Sequence, residues 1–334
     1  VLSGELKAGT GGTVRIVVTG AAGQLGHDLL DVLHGTLPVG GSPALVDAVA
    51  PLASAGRVDT VGTDLPDLDL SDRSAVLAFI GQVRPHVVVH GAAWTAVDAC
   101  EEDPDRAWAV NALATRHVAE ACRQVGAHLV YVSTDYVFDG RQAAPYTEWD
   151  LPAPVSVYGR SKRGGELEAG PGATVVRTAW VSGAHGANMV KTVLRLAAGP
   201  GSLRFVDDQR GSPTFTADLA VALARLAVER RPGCFHQTNA GQTTWYHFAR
   251  TVLEVAGHDA DRVCPITTVA LDPPRPAPRP ANSVLDNAAW RLSGLPPLPP
   301  WQDALSRLVA ALQRSPELLD ARPAVPLPVD RTAG

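Results

Sequence analysis

An α/β fold is what this sequence predicts: a Rossmann-type, doubly wound parallel sheet with a smaller C-terminal substrate-binding lobe. Three observations carry that reading. The apolar run Val14-Arg-Ile-Val-Val-Thr19 leads straight into Gly20-Ala-Ala-Gly23-Gln-Leu-Gly26 and then into a helical pattern. Five strand-like runs separated by helical patterns fall before residue 180, the alternation that a parallel sheet needs for its crossovers. Tyr158 and Lys162 stand four residues apart, which puts both on one face of a helix.

The elements follow in order. Val14–Thr19 reads as a strand buried on both faces, and Asp28, Leu29, Leu30, Val32 and Leu33 mark the helix after it. A long Gly-, Pro- and Ala-rich link over 34–56 holds one short helical stretch, Ala44–Leu52, before a second strand near Arg57–Gly62. Ser71 is placed to cap a helix over Asp72–Gln82. Pro85 introduces the strand His86–His90, and Asn111–Val125 reads as a helix stopped by Gly126. The strand 128–133, the helix carrying Tyr158 and Lys162, and the strand Thr174–Arg177 complete the first half. Beyond it, Asn188–Ala198, Thr216–Glu229 and Thr244–Gly257 read as helices and Gly233–Asn239 as a strand. Nine prolines in 271–300 make that stretch mostly loop, and a helix over 302–313 closes the fold. The domains expected are a dinucleotide-binding unit at 14–180 and a lobe at 181–314, with flexible tails at 1–13 and 315–334.

A chain of 334 residues can bury a sizeable core. A net charge of −5 leaves no basic footprint for nucleic acid, and no apolar run is long enough to cross a bilayer. Residues 1–13 lack the basic and apolar segments of a signal peptide. Cys100, Cys122, Cys234 and Cys264 stand singly, a spacing that argues against zinc and for reduced thiols in a cytoplasmic protein.

The turn from Gly20 through Gly23 to Gly26 suits a dinucleotide pyrophosphate. Glycine lets backbone approach the phosphates, and the helix N-terminus supplies amides and a favourable dipole. Asp64, at the end of the second strand, is the candidate for the adenosine ribose, and an acid there favours NADH because a 2′-phosphate prefers arginine. Asp69 and Leu70 could bracket the adenine; for both acids, ordinary turn and capping chemistry is the alternative. Ala92, Ala93 and Trp94 follow the third strand, where small residues let chain and cofactor approach.

A cation near Tyr158 favours its phenolate and lowers its pKa, so that the phenol could exchange a proton with a substrate oxygen. Upstream, the strand ending Ser133-Thr134-Asp135 brings hydroxyls toward the same place. A Tyr/Lys pair alone also fits a half-exposed amphipathic helix. The glycine turn and the hydroxyl-bearing strand end favour the carbonyl reductase reading.

Eight segments together carry a resemblance: Thr19–Gly26, Ala92–Asp98, Ser133-Thr-Asp-Tyr-Val-Phe-Asp-Gly140, Tyr158–Lys162, Arg177–Val181, Asp208-Gln-Arg-Gly-Ser-Pro-Thr214, Thr244–Tyr246 and Arg279–Leu285. In this order, from about 14 to 312, the chain resembles the dTDP-4-dehydrorhamnose reductases of the extended short-chain dehydrogenase/reductase superfamily. The resemblance implies a cytoplasmic enzyme that reduces the C4 ketone of a dTDP-4-keto-6-deoxy-L-sugar with NADPH or NADH, for rhamnose or antibiotic sugars. It implies Thr134, Tyr158 and Lys162 as the catalytic trio. It also implies cofactor contacts from Gly23, Gln24, Leu25, Asp69, Leu70, Ala92, Ala93 and Trp94, and nucleotide-sugar contacts from Thr134, Asp135 and Trp180.

Other readings stay open beside these. Asp135 could be a loop cap and Trp180 core. Arg275 and Arg279 could clamp the substrate pyrophosphate or simply keep a Pro-rich loop soluble, and Asn111 could support a proton-carrying water near Lys162. His90, His128 and His236 read as core or strand-end residues. The family's Trp-Val-Tyr-Gly is here Trp180-Val-Ser-Gly183, which removes one aromatic. Some bacterial members dimerise through an acidic magnesium site. Here Asp28 matches one acid, while Asp207 and Asp208 give no clear counterpart to the rest, so no metal is expected and a homodimer stays open. A 4,6-dehydratase would carry a glutamate where this chain has Tyr136. An epimerase, or a non-catalytic regulatory subunit, would share the fold.

Overall fold

Strand β1 (Val14–Thr19) and helix α1 (Gln24–Leu33) form as the apolar periods require. The structure, a computed structural model, describes residues 13–44 and 58–320. After the link come β2 (Val58–Thr63), α2 (Arg73–Val83), β3 (Val87–His90), α3 (Ala114–Val125) and β4 (His128–Thr134). Then follow α4 (Val157–Ala169), β5 (Thr174–Thr178), α5 (Met189–Ala197), α6 (Thr216–Glu229), β6 (Gly233–His236), α7 (Trp245–Ala256) and α8 (Trp301–Arg314).

All six of these strands pair in parallel in the order β6-β5-β4-β3-β1-β2. The chain winds outward from β1 to β2, then returns to the other side of β1 to begin β3. That reversal opens a crevice beyond the C-terminal ends of β1 and β3, where open α/β sheets bind ligands. Both faces of the sheet are covered. Ile16, Val18, Val87 and Val89 pack with Leu29 of α1 and Leu219, Leu223 and Leu226 of α6. Val17 and Val88 point the other way, into a core with Val76 and Ile80 of α2 and Val118 of α3. Burial on both sides is why these strands read as unbroken apolar runs.

Helix α6 and strand β6 come from beyond residue 180, so the main sheet and the lobe interleave along the chain. The lobe has its own core, in which Val190 and Val193 meet Phe248, Val252, Leu253, Trp301, Leu305 and Leu308.

Several boundaries differ from expectation for identifiable reasons. Helix α2 is capped by Asp72, whose side chain accepts from Ala75 N at 3.0 Å. Ser71 is spent elsewhere: its amide and its hydroxyl both donate to Asp69 Oδ1, at 2.8 and 2.7 Å. The helix expected from Asn111 opens with a π-helical turn at Ala109–Leu113. The Pro-rich 271–300 segment holds one short helix, Ala288–Leu292. The region expected to be a tail begins with a 3-10 segment at Pro316–Asp320, where Leu318 and Leu319 pack on the lobe core. Residues 45–52 of the short helix expected in the link, and most of both expected tails, lie outside the described residues. Among the described residues no helix is long and apolar enough to cross a membrane.

Candidate active site

The crevice at the switch point is a cleft of about 720 Å³ running from the glycine turn to the lobe. Gly20 takes φ +74°, and a Cβ on it would lie 2.7 Å from Ala92 N. A Cβ on Gly26 would lie 2.2 Å from Gly20 O. These two contacts draw the loops after β1 and β3 together and seat α1 against the turn. Gly23 is the N-cap of α1, and no side chain caps it. The first amides of the helix therefore remain for an anion. Thr178, at the end of β5, also lines the cleft and has a buried Oγ1 with no hydrogen-bond partner. The cradle thus fits a dinucleotide: uncapped amides, close backbone approach and an unspent polar atom.

Gly20, Gly23, Gln24, Leu25, Gly26, Asp64, Asp69, Leu70, Ala92, Ala93 and Trp94 all line this cleft. Asp64 also staples the turn, since its two carboxylate oxygens accept from Ala22 N at 3.0 Å and Leu65 N at 2.9 Å. Hydrogen bonds from Ser71 hold the Asp69 carboxyl below the usual range. Gln24 ties the turn to the lobe, donating to Val181 O at 3.5 Å and accepting from Asn188 Nδ2 at 3.4 Å.

Thr134, Asp135, Tyr158, Lys162 and Trp180 line the same cleft. Thr134 closes β4 and donates to Asp135 Oδ1 at 2.9 Å. Ser156 caps α4 by accepting from Gly159 N at 3.1 Å, which begins the helix one turn before Lys162. Tyr158 is buried, and burial pushes its phenol above the usual range while the hydroxyl of Thr134 pulls the other way. Burial pushes Lys162 down to about 7, partly offset by Glu166 one turn further on.

This electrostatic picture corrects the expectation that Lys162 depresses the Tyr158 pKa. The Lys162 ammonium is turned to the sheet, donating to Val132 O at 2.7 Å and lying 4.3 Å from the Tyr131 ring centroid. Desolvation outweighs any charge on the phenol, which stays protonated at neutral pH. Burial likewise raises Asp135 to about 6, with hydrogen bonds from neighbouring hydroxyls opposing it.

Arg279 does not line the cleft. With Arg275 it grips Asp98, the two guanidiniums reaching one carboxylate at 2.9 and 3.0 Å. Asp98, in the short helix Val97–Glu102, offsets only one of the two guanidiniums, so the cluster keeps a net positive charge while both arginines are tied to a carboxylate far away in the sequence. Asn111 has a structural task as well. Its side chain clasps both the N–H and the C=O of Trp94, at 2.8 and 3.1 Å, and reaches Ser161 Oγ at 3.0 Å. It fixes the β3 loop to α4, and its own carbonyl is taken by Thr115 and Tyr131. Asp28 is fully buried, accepts from Thr216 and has been raised by burial to about 7.

Three site features escaped the sequence reading. Trp245, at the start of α7, lines the cleft and stacks on Trp180. Gly186 lies against Gln24 and, with Ala187, lines the cleft. Tyr136 packs edge-on against Tyr158, ring centroids 5.5 Å apart. Trp180 and Trp245 stand 65 positions apart and meet against the lobe core, and no spacing rule announces the contact.

A Rossmann sheet with an uncapped glycine turn, a buried Tyr/Lys pair and a hydroxyl-bearing strand end defines the extended short-chain dehydrogenase/reductase class. Within that class, the chain belongs to the family whose model is described as the RmlD substrate binding domain, matched over residues 14–314. It is 43% identical over 307 residues to a dTDP-4-dehydrorhamnose reductase of Streptomyces griseus, covering 89% of this chain and 94% of that one. It is 38% identical over 299 residues to a dTDP-4-keto-6-deoxy-D-glucose reductase of Streptomyces niveus, covering 88% and 96%. A dTDP-4-dehydrorhamnose reductase of Bacillus anthracis, solved in complex with NADP, superposes with a TM-score of 0.79 at 35% identity, covering 89% and 99%.

Proposed function

We propose that this protein reduces the C4 ketone of a dTDP-4-dehydro-6-deoxy-L-sugar, with NADPH as the preferred reductant and NADH as the alternative. The observation that carries the reading is the convergence of Thr134, Tyr158 and Lys162 in the one cleft that begins at the glycine turn. The names of the relatives support the substrate class, and the NADP-bound neighbour supports the cofactor.

A bound reduced nicotinamide would supply the hydride. The chain's own residues would then manage the oxygen. Tyr158 stays protonated because it is buried, so it is set to give its proton to the oxygen as negative charge develops there. Thr134 lines the cleft beside it, and its hydroxyl, turned away from Asp135 Oδ1, would hydrogen-bond that oxygen. Burial pushes Lys162 down to about 7, and it can hold a nicotinamide ribose with the donors left after Val132 O. The helix N-terminus at Gly23 would take the pyrophosphate, and Asp64, Asp69 and Leu70 would flank the adenosine. Asp135 and Trp180 would meet the sugar.

Tyr136 argues against dehydration. It stands where a dehydratase would need a carboxylic acid, and burial pushes its phenol to about 12. No glutamate lines the cleft among the described residues.

Purified protein mixed with NADPH and dTDP-4-dehydro-6-deoxy-L-mannose should lose the absorbance of reduced nicotinamide. Tyr158→Phe should slow that loss by ~10²-fold or more without preventing NADPH binding. NADH in place of NADPH ranks the two cofactors. Binding of several 4-keto sugars with no oxidation of either cofactor would overturn the reading in favour of a non-catalytic role.

A further inference from the structure

Below Lys162 lies a fully buried tyrosine that the proposed chemistry does not use. Tyr131 sits in the middle of β4, paired with His90 of β3 on one side and Val175 of β5 on the other. The Lys162 Nζ stands over its ring, 4.3 Å from the centroid. Its hydroxyl donates toward Asn111 O and Lys162 O, each at 3.3 Å. Helix α4 comes down on that hydroxyl at Gly165, where a Cβ would lie only 2.2 Å from the phenolic oxygen. The phenol thus meets both the lysine's head and its backbone.

We infer that Tyr131 is a positioning residue for Lys162, its ring face holding the ammonium and its hydroxyl seating the helix from which the lysine projects. This rests on the assignment of Lys162 to the reductase site. The physical need is plain. A buried ammonium loses its hydration and tends to shed its proton. The face of an aromatic ring carries negative charge density and attracts a cation most strongly where water is excluded.

The other groups around the ammonium are few. Strand β4 supplies the Val132 carbonyl. Helix α4 supplies Glu166. That glutamate is largely committed to Arg177, Arg163 and Ser133. Strand β3 supplies His90, held neutral by burial at about 3 and bonded to Thr19 and Thr115. With the carboxylate shared among three other donors, the ring face, 4.3 Å away at its centroid, supports the charge beside one carbonyl.

The chain contains three lysines, Lys7, Lys162 and Lys191, so their side-chain carbons can be followed one by one by NMR. Lysine labelled with ¹³C at Cε would be titrated in the full-length protein, the Lys162 signal being assigned by its loss in Lys162→Met. Position 131 would carry Phe, then Phe with increasing ring fluorination, which weakens the ring's attraction for a cation at nearly constant size. The hydroxyl is absent from the whole series, so its loss cancels, and melting curves check that each variant folds.

The Lys162 midpoint should fall stepwise with fluorination, by about one pH unit across the series, because a weaker ring favours the neutral amine. A midpoint unmoved by fluorination in folded variants would overturn the inference. Turnover is read separately. A falling midpoint with no shift in the alkaline limb of kcat/KM would uphold Tyr131 and instead count against Lys162 as part of the reductase site.

Discussion

The indoles of Trp180 and Trp245 lie face to face, with ring centroids 3.5 Å apart and planes 7° apart. Trp180 sits at φ +47°, a left-handed backbone that a bulky residue adopts only when its surroundings hold it there. Trp245 is one of those surroundings, and Phe248 meets both indoles edge-on. Trp245→Ala should therefore free the Trp180 ring and raise KM for the nucleotide sugar by ~3- to 10-fold, with a smaller change in kcat. Trp245→Phe should recover most of the loss. Steady-state kinetics on the three proteins decide it, and equal KM values would show that the stack does not orient substrate.

The Arg275–Asp98–Arg279 cluster predicts a stability effect where a substrate clamp would predict a binding one. Arg279 forks onto both Asp98 oxygens, at 3.0 and 2.9 Å. Lysine cannot reproduce that geometry. Arg279→Lys should lower unfolding free energy by on the order of 1–2 kcal/mol while leaving KM for the sugar within about twofold of the parent. Denaturant melts and kinetics on the same preparation separate the two readings.

Asp28 makes stability depend on pH. Burial raises its folded pKa to about 7, from the 3.8 of an ordinary aspartate. Between those values the folded state holds a proton that the unfolded chain has lost, so stability falls as pH rises through the window. Asp28→Asn keeps an acceptor for Thr216 and removes the ionisation. Relative to the parent, the variant should gain ~1 kcal/mol or more on going from pH 5 to pH 8. Urea melts at the two pH values test the sign, and a constant difference would show that Asp28 is already ionised in the fold at pH 5.

Gly26→Ala should damage the cofactor cradle. A methyl there would lie 2.2 Å from Gly20 O and 2.7 Å from Ala21 Cα, both backbone atoms that cannot swing away. The helix would have to shift, at a cost of about 1–3 kcal/mol. NADPH should then raise the melting temperature of the variant much less than that of the parent. An unchanged ligand-induced shift would place the dinucleotide elsewhere.

Residues close together in sequence carried most of what could be read before the structure. The glycine turn, the strand end at Thr134 and the Tyr158/Lys162 pair each sit inside a segment of fewer than about ten residues, where the periods of helix and strand decide what faces what. The same holds for α6, expected and observed at Thr216–Glu229. Thr244 fell into place likewise, because a polar side chain ahead of an apolar helical period is itself the capping chemistry. Ser71 failed as a cap since Asp69 takes its amide and hydroxyl while Asp72 accepts from the Ala75 amide, a division that local pattern does not rank.

By itself, the sequence determined the parallel sheet, its crossovers, the glycine turn and the identity of the residues that meet at its mouth, because backbone propensity and hydrophobic period act over one or two turns. Only the tertiary structure decided that Arg279 belongs to Asp98, that Trp245 backs Trp180, and that Lys162 turns toward Tyr131 and Val132 while Tyr158 stays protonated. Those outcomes depend on burial and on which distant groups share the same few ångströms. Desolvation and pairing energies are properties of that shared space, and no stretch of chain contains them.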